Sequence, residues 1–246
     1  MTYCVALRLK RGLVLMSDTR TNAGVDNISI FPKTFHFGVP GERQLSILTA
    51  GNLATTQAVV ALLEERSKAP ADRSPGILTA PSMFQVARLV GSTLREAIRE
   101  QVDAQGPGAD PSVFSATLLL AGQIKGAPQR LYMVYPEGNF VECSDEAPYF
   151  QIGETKYGRP IIVRAFDPEM TFEAAIKLLL LSFDSTIKAN LSVDLPIDMT
   201  VQSADAFDVP TLRRIVKDDP YYLEISDTWG RVLRDGVASL PDYALL

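Results

Sequence analysis

Histidine is nearly absent from this chain: there is one, His36, in 246 residues, and it lies in the alternating stretch Thr34-Phe35-His36-Phe37. Any Ser-His-Asp or Cys-His mechanism would have to be built on it, and no Gly-x-Ser-x-Gly elbow supplies a partner. We read His36 as an ordinary strand residue. Cysteine is scarce as well. Cys4 and Cys143 stand alone, with no CxxC pair and no Cys/His cluster, so no structural zinc, other metal or cofactor is expected. No P-loop or dinucleotide fingerprint occurs either. Long apolar runs are missing; Leu178 to Leu181 is far too short to span a bilayer. Positive charge is not in excess, with 24 Lys and Arg against 29 Asp and Glu, and the net charge of −5 implies neither nucleic acid nor a membrane surface as partner. Two isolated cysteines, with no secretory leader ahead of the first strand-like run, fit a reducing cytoplasm.

What the chain does have is a full core and a clear change of period. Apolar residues make up 46% of it, and no shift of composition marks an internal boundary, so residues 1–246 are expected to form one domain. Residues 2–9 alternate, with Tyr3, Val5, Leu7 and Leu9 apolar; Arg11-Gly12 turns the chain into Leu13-Val14-Leu15-Met16, which ends at Ser17-Asp18. Residues 19–30 are polar and read as a loop. Strands at about 33–38 and 44–50 follow, close enough together to require antiparallel hairpins. Helical spacing then sets in over 53–68, with Asn52 as N-cap, and again over 82–102, across a loop from Pro70 to Pro81. Strands are expected at about 113–122, 129–135, 139–143 and 148–152, with a hairpin turn at Pro136-Glu137-Gly138-Asn139. A short helix near Pro160, a strongly apolar one over 171–190 capped by Thr171, a strand over 197–204 and a helix over 220–237 complete the reading. Grouped rather than alternating elements predict an α+β fold: two antiparallel sheets with helices on their outer faces.

The chemistry-bearing stretch is the beginning of the first strand. If Met1 is removed, as small side chains at the second position generally allow, Thr2 becomes the N-terminal residue. Its hydroxyl then lies beside a free α-amine of pKa about 8, the N-terminal-amine form of an activated nucleophile.

Thr2 on the opening strand, Met16-Ser17-Asp18-Thr19-Arg20 on the second, Lys33 at the start of a later strand and Thr49-Ala50-Gly51 at a strand-to-helix turn together resemble the proteasome β-type subunits, members of the N-terminal nucleophile hydrolases. Thr21-Asn22-Ala23-Gly24-Val25-Asp26 and Ala50-Gly51-Asn52-Leu53-Ala54-Thr55-Thr56 look most like the bacterial Anbu branch of that family. The resemblance covers nearly the whole chain, with a C-terminal extension from about 205 to 246. It implies a four-layer αββα sandwich of two antiparallel sheets, and threonine-dependent hydrolysis of peptide bonds by a self-assembling, proteasome-like subunit. The expected partners are copies of the chain itself, in a ring or an open helix, and a peptide or protein substrate; an ATP-dependent partner is not identified.

The resemblance also assigns roles. Thr2 is the nucleophile, Lys33 stabilises its alkoxide-like oxygen, Asp18 pairs with Lys33, and the N–H of Gly51 faces the oxyanion, an effect worth about 3 kcal/mol. Asp184, in Ser182-Phe183-Asp184-Ser185, matches an Asp that supports the threonine. One position departs from the family. Where its members carry Ile/Val-Gly-Ser-Gly, this chain has Ile152-Gly153-Glu154-Thr155, which sets a carboxylate at the place of a hydroxyl beside the amine. Two other readings remain: an N-terminal nucleophile amidase acting on a small amide, and a catalytically idle scaffold subunit.

Overall fold

The computed structural model describes residues 2–22, 28–68 and 75–244. Met1, most of the Thr21–Asp26 stretch and the first part of the expected loop after Lys68 lie outside these. Twelve strands and five helices occur among the described residues. In chain order they are β1 (Tyr3–Leu9), β2 (Gly12–Asp18), β3 (Arg20–Asn22), β4 (Ile28–Ile30), β5 (Thr34–Val39), β6 (Arg43–Gly51), α1 (Leu53–Lys68) and α2 (Met83–Gln105). There follow β7 (Ala116–Ile124), β8 (Arg130–Val134), β9 (Phe140–Glu142), β10 (Tyr149–Gly153), α3 (Arg159–Ala165), α4 (Phe172–Ala189), β11 (Ile197–Ser203), β12 (Thr211–Ile215) and α5 (Pro220–Ser239). Two five-stranded sheets result, ordered β10-β1-β2-β11-β12 and β5-β6-β7-β8-β9, and every pairing in them is antiparallel.

Strand alternation divides the apolar side chains among three clusters. On β1 and β2, Tyr3, Val5, Leu7, Val14 and Met16 face α3, α4 and α5, where they meet Ile162, Leu179, Phe183 and Tyr222. The alternate residues Cys4, Ala6, Leu13 and Leu15 face the other sheet and meet Leu48, Ala50, Leu119 and Ala121. The far side of that sheet, with Leu45, Ile47, Leu118 and Leu120, packs on Val59, Leu63, Val86, Val90 and Leu94 of α1 and α2. Central strands buried on both faces read as continuous apolar runs, which is why Leu13 to Met16 shows no alternation. Each such side chain contributes about 1.5–3 kcal/mol by burial.

The expected helix starts are capped as read: Asn52 Oδ1 accepts from Thr55 N at 3.0 Å, and Thr171 Oγ1 from Ala174 N at 3.2 Å. The hairpin turn is also present, with Gly138 N donating to Tyr135 O at 2.9 Å. Two segments differ from the sequence reading. Residues 19–30 are not all loop, because Arg20, Thr21 and Asn22 pair with Ile30, Ser29 and Ile28 in a small separate ribbon. Strand β12 was not expected. It is an edge strand whose first four residues are exposed, so it carries no inward-facing apolar alternation to betray it. It pairs with β11 and so joins residues 211–215 to the first sheet. Tyr222, just beyond, is buried in the cluster under α4.

Candidate active site

The start of β1, the end of β2, the residue before β5 and the end of β6 converge on one place. Asp18 is completely buried there, and Lys33 almost so. Lys33 Nζ lies 2.9 Å from both Asp18 oxygens and donates to Arg20 O at 2.6 Å. Asp18 Oδ1 also accepts from Tyr3 N at 2.9 Å. One carboxylate oxygen therefore fixes both the ammonium and the peptide unit that follows Thr2. On the opposite side the chain is held as firmly, because Thr2 O accepts from Glu154 N at 2.7 Å. The main chain of Lys33 is anchored too, its carbonyl accepting from Thr49 N at 2.9 Å.

Burial pushes the Asp18 carboxyl up from its ordinary 3.8 to about 6, against the opposing pull of the Lys33 ammonium and the Tyr3 N–H. Removing an ion pair from water is costly, and the extra backbone hydrogen bonds offset part of that cost. Burial also pushes the Cys4 thiol up, followed by the nearby Asp18 charge. This buried thiol stays protonated and is not an available nucleophile.

A cavity of about 570 Å³ opens at this end of the inter-sheet layer, and Thr2, Lys33, Thr49, Gly51, Gly153 and Glu154 are among its walls. Two glycines shape it. Gly51 has φ +121°, and a Cβ there would come within 2.4 Å of Ser115 O; at Gly153, φ +82°, it would come within 1.9 Å of Thr2 O. Neither position accepts a side chain, so β10 approaches Thr2, and the end of β6 approaches Ser115, by backbone alone. A larger cavity of about 860 Å³, around Arg8, Lys10 and Asp205, lies at the other end of β1, and no Ser, Thr, Cys or His lines it. Among the described residues no three metal-binding side chains cluster, and no helix is long and apolar enough to cross a membrane.

The structure thus brings together Thr2, Asp18, Lys33, Gly51 and Glu154. Asp184 is elsewhere: it is buried on α4, accepts from Tyr222 Oη at 3.4 Å and lies 3.4 Å from Lys188 Nζ, and it does not line the cavity. The link from α4 to the opening strand is made instead by Ser182, whose Oγ is 2.7 Å from Tyr3 Oη and donates to Gly158 O at 3.0 Å. Sequence reading missed this contact and also Asn190, whose Nδ2 donates to Glu154 Oε2 at 2.9 Å. Both residues are small and polar on an apolar helix or at its end, and no periodicity marks them. His36 is not part of the site; its Nδ1 lies 3.0 Å from Ser46 Oγ.

Two antiparallel sheets with helices against them, and an opening strand that starts beside a buried Lys–Asp pair, define a chain with the proteasome-β-like fold. It belongs to the Anbu family. Among solved structures it is 44% identical to Anbu (ancestral beta-subunit) from Yersinia bercovieri, covering 99% of this chain and 100% of that one with a TM-score of 0.91. It is 45% identical to an Anbu (Gly-1) mutant from Hyphomicrobium sp. strain MC1, over 100% of both chains with a TM-score of 0.90. A structure described as the helical assembly of the Anbu complex from Pseudomonas aeruginosa is 41% identical over 98% of each chain, with a TM-score of 0.91. No family model and no curated protein matches the chain.

Proposed function

We propose that this chain is a threonine-dependent peptidase subunit that works in an assembly of its own copies, with Thr2 as its N-terminal nucleophile once Met1 has been removed. The observation that carries this reading is the double use of Asp18 Oδ1, which ties Lys33 Nζ and the peptide N–H after Thr2 to one buried point beside an open cavity. In the reaction, Thr2 Oγ attacks the substrate carbonyl carbon while its proton passes to the α-amine. Lys33 stabilises the attacking oxygen by its charge, and Gly51 N–H stabilises the oxyanion that forms. The C–N bond then breaks as the ammonium returns its proton to the departing amine. Water hydrolyses the resulting ester and restores Thr2, with the same amine as base.

The three apolar clusters fit a four-layer αββα sandwich, one domain whose extension runs from about 205 to 246. Self-assembly is supported by α5, whose second half is exposed all round and presents Val232, Leu233 and Val237 to solvent. It is supported as well by the helical assembly formed by the Pseudomonas aeruginosa relative. The reading places the assembly in the cytoplasm, with a peptide or protein as substrate.

One observation favours the idle-scaffold alternative: Glu154 brings a carboxylate into the cavity beside Thr2. The deciding experiment combines intact mass of the N-terminus with a covalent threonine-directed probe. The reading expects a protein that begins at Thr2 and gains one probe adduct, lost in Thr2→Ala. A folded Thr2-initiated protein that never labels would favour the scaffold, and a monomer of 26.9 kDa at micromolar concentration would end the assembly reading.

A further inference from the structure

The register of β1 against β10 decides where the Thr2 nitrogen points. Tyr3 faces Gly153 and Cys4 faces Ile152, so the next pair outward is Thr2 with Glu154. Successive N–H groups of a strand point alternately to its two sides. Tyr3 N points to β2, where it donates to Asp18, so the Thr2 nitrogen points the other way, toward Glu154. The side chains agree. Cys4 and Ile152 both face the inter-sheet layer, and Thr2 and Glu154 both line the cavity that opens at its end.

The Glu154 carboxylate has a fixed position and, among the described residues, no ion-pair partner. Among the described residues its one side-chain hydrogen bond is to a neutral group, Asn190 Nδ2. Asn190 is itself held, its Oδ1 accepting from Ser192 N at 2.9 Å. Other charged groups pair with each other: Asp18 with Lys33, Arg20 and Lys217 with Asp194 and, on α4, Asp184 with Lys188. Glu154 therefore brings a carboxylate to the side to which the Thr2 nitrogen points.

We propose that Glu154, oriented by Asn190, is the positioning residue for the Thr2 α-amine: its carboxylate pairs with the ammonium form and sets the pH above which the amine can accept the proton of Thr2 Oγ. This rests on the reading of Thr2 as a free N-terminal residue. An opposite charge within a few ångströms favours the protonated amine, so this subunit is a stronger base at alkaline pH and a dormant one near neutrality. The carboxylate then acts as a regulator of the nucleophile, and not only as a departure from the family's hydroxyl.

The test titrates the amine itself. Wild type, Glu154→Gln, Glu154→Asp and Asn190→Ala are acylated with acetic anhydride across pH 6–10, and the acetylated N-terminal peptide is quantified by mass spectrometry. The midpoint for Glu154→Gln is expected at least about one pH unit below wild type, a tenfold change in proton affinity, with Asn190→Ala between them and Glu154→Asp near wild type. In peptide hydrolysis, Glu154→Gln shifts the acid limb to lower pH by the same amount and lowers the alkaline plateau. Equal midpoints in wild type and Glu154→Gln overturn the pairing whether or not the protein hydrolyses anything. If Glu154→Gln fails to fold, an unshifted midpoint in Asn190→Ala overturns it. A shift seen only in turnover of substrates with a free amino group, and not in the Thr2 titration, assigns Glu154 to the substrate and overturns it also. Midpoints that shift in a protein that neither labels nor hydrolyses uphold the pairing and sink the peptidase reading alone. A retained Met1 in the intact mass removes both.

Discussion

Two of the buried aspartates, Asp18 and Asp184, differ in what shares their carboxylates. Asp18 and Asp184 are 0% and 2% exposed. Asp184 meets Lys188, whose side chain is 58% exposed, and Tyr222 across the contact between α4 and α5. Asp18 meets Lys33, whose side chain is 5% exposed, and the backbone after Thr2. Burial with a basic partner is therefore not what singles out a site. What does is that the same oxygen atom places a charge and a segment of main chain at the mouth of a cavity. At Asp184 the carboxylate joins two helices, and nothing reactive borders it.

The comparison breaks hardest at the lysines. Lys33→Ala strands a buried carboxylate, and the expected loss is about 3–5 kcal/mol in urea unfolding together with all measurable turnover. Lys188→Ala removes a partner that stands mostly in water, and about 1 kcal/mol or less is expected with turnover retained. Equal losses from the two changes would erase the distinction. Acid reaches the same pair more gently. The ionised Asp18 holds the ammonium, and burial lifts its pKa to about 6, so below about pH 6, rather than below about 4, turnover should lose a further factor of about ten per unit beyond the limb that the Thr2 amine sets at higher pH. For stability the sign is opposite. The folded state binds this proton more tightly than the unfolded state between about pH 4 and 6, so the contribution of Asp18 to stability decreases as pH rises through that window. A pH profile whose additional fall begins only near about pH 4 would contradict the assignment.

The fold was legible where burial imposes a period. The start of α1 could be read from Asn52 and that of α4 from Thr171, and the helix-facing residues of β1 from the alternation of Tyr3, Val5, Leu7 and Leu9. It was not legible at β12, which is paired but mostly exposed, nor in the ribbon of β3 and β4, whose three-residue strands are too short to show alternation. At the site, the residue types of Thr2, Asp18, Lys33 and Gly51 marked their places. Asn190 and Ser182 left no mark, because a single hydrogen bond made across more than 30 residues has no local signature. Asp184 shows the reverse case: its local context matched a supporting role, but its side chain is directed to α5.

A smaller effect sharpens the helical side of the comparison. In Asp184→Asn the amide can still accept from Tyr222 Oη, but the charge facing Lys188 is gone. Burial pushes the Tyr222 hydroxyl up, and the Asp184 charge adds to it, so Tyr222 remains a neutral donor throughout the working range. A loss of about 1–2 kcal/mol is expected, with turnover changed less than twofold, as read by chemical denaturation and peptide hydrolysis in parallel. Asp184→Ala, which leaves a buried hydroxyl without its acceptor, should cost more than Asp184→Asn. A collapse of turnover in Asp184→Asn with stability intact would return this residue to the active site.

The smallest expected effect belongs to His36. It is exposed on β5, and its ring contact is with Ser46, which faces it across the β5–β6 ladder. The cavity is bordered by β6 residues Thr49, Ala50 and Gly51. From Ser46 to Gly51 is five residues of extended chain, about 16 Å at roughly 3.3 Å each, so the ring stands well outside proton-transfer reach of Thr2. Partial desolvation of the ring lowers the pKa of His36 from its ordinary value. His36→Gln preserves a polar group able to bond Ser46, and it should leave kcat/KM within twofold and stability within about 1 kcal/mol, a shift of about 2–4 °C in Tm. The comparison to make is with Thr2→Ala, which should remove turnover while leaving Tm unchanged within the same margin. A loss in His36→Gln as deep as that in Thr2→Ala would mean that the lone histidine, and not the terminal amine, carries the proton.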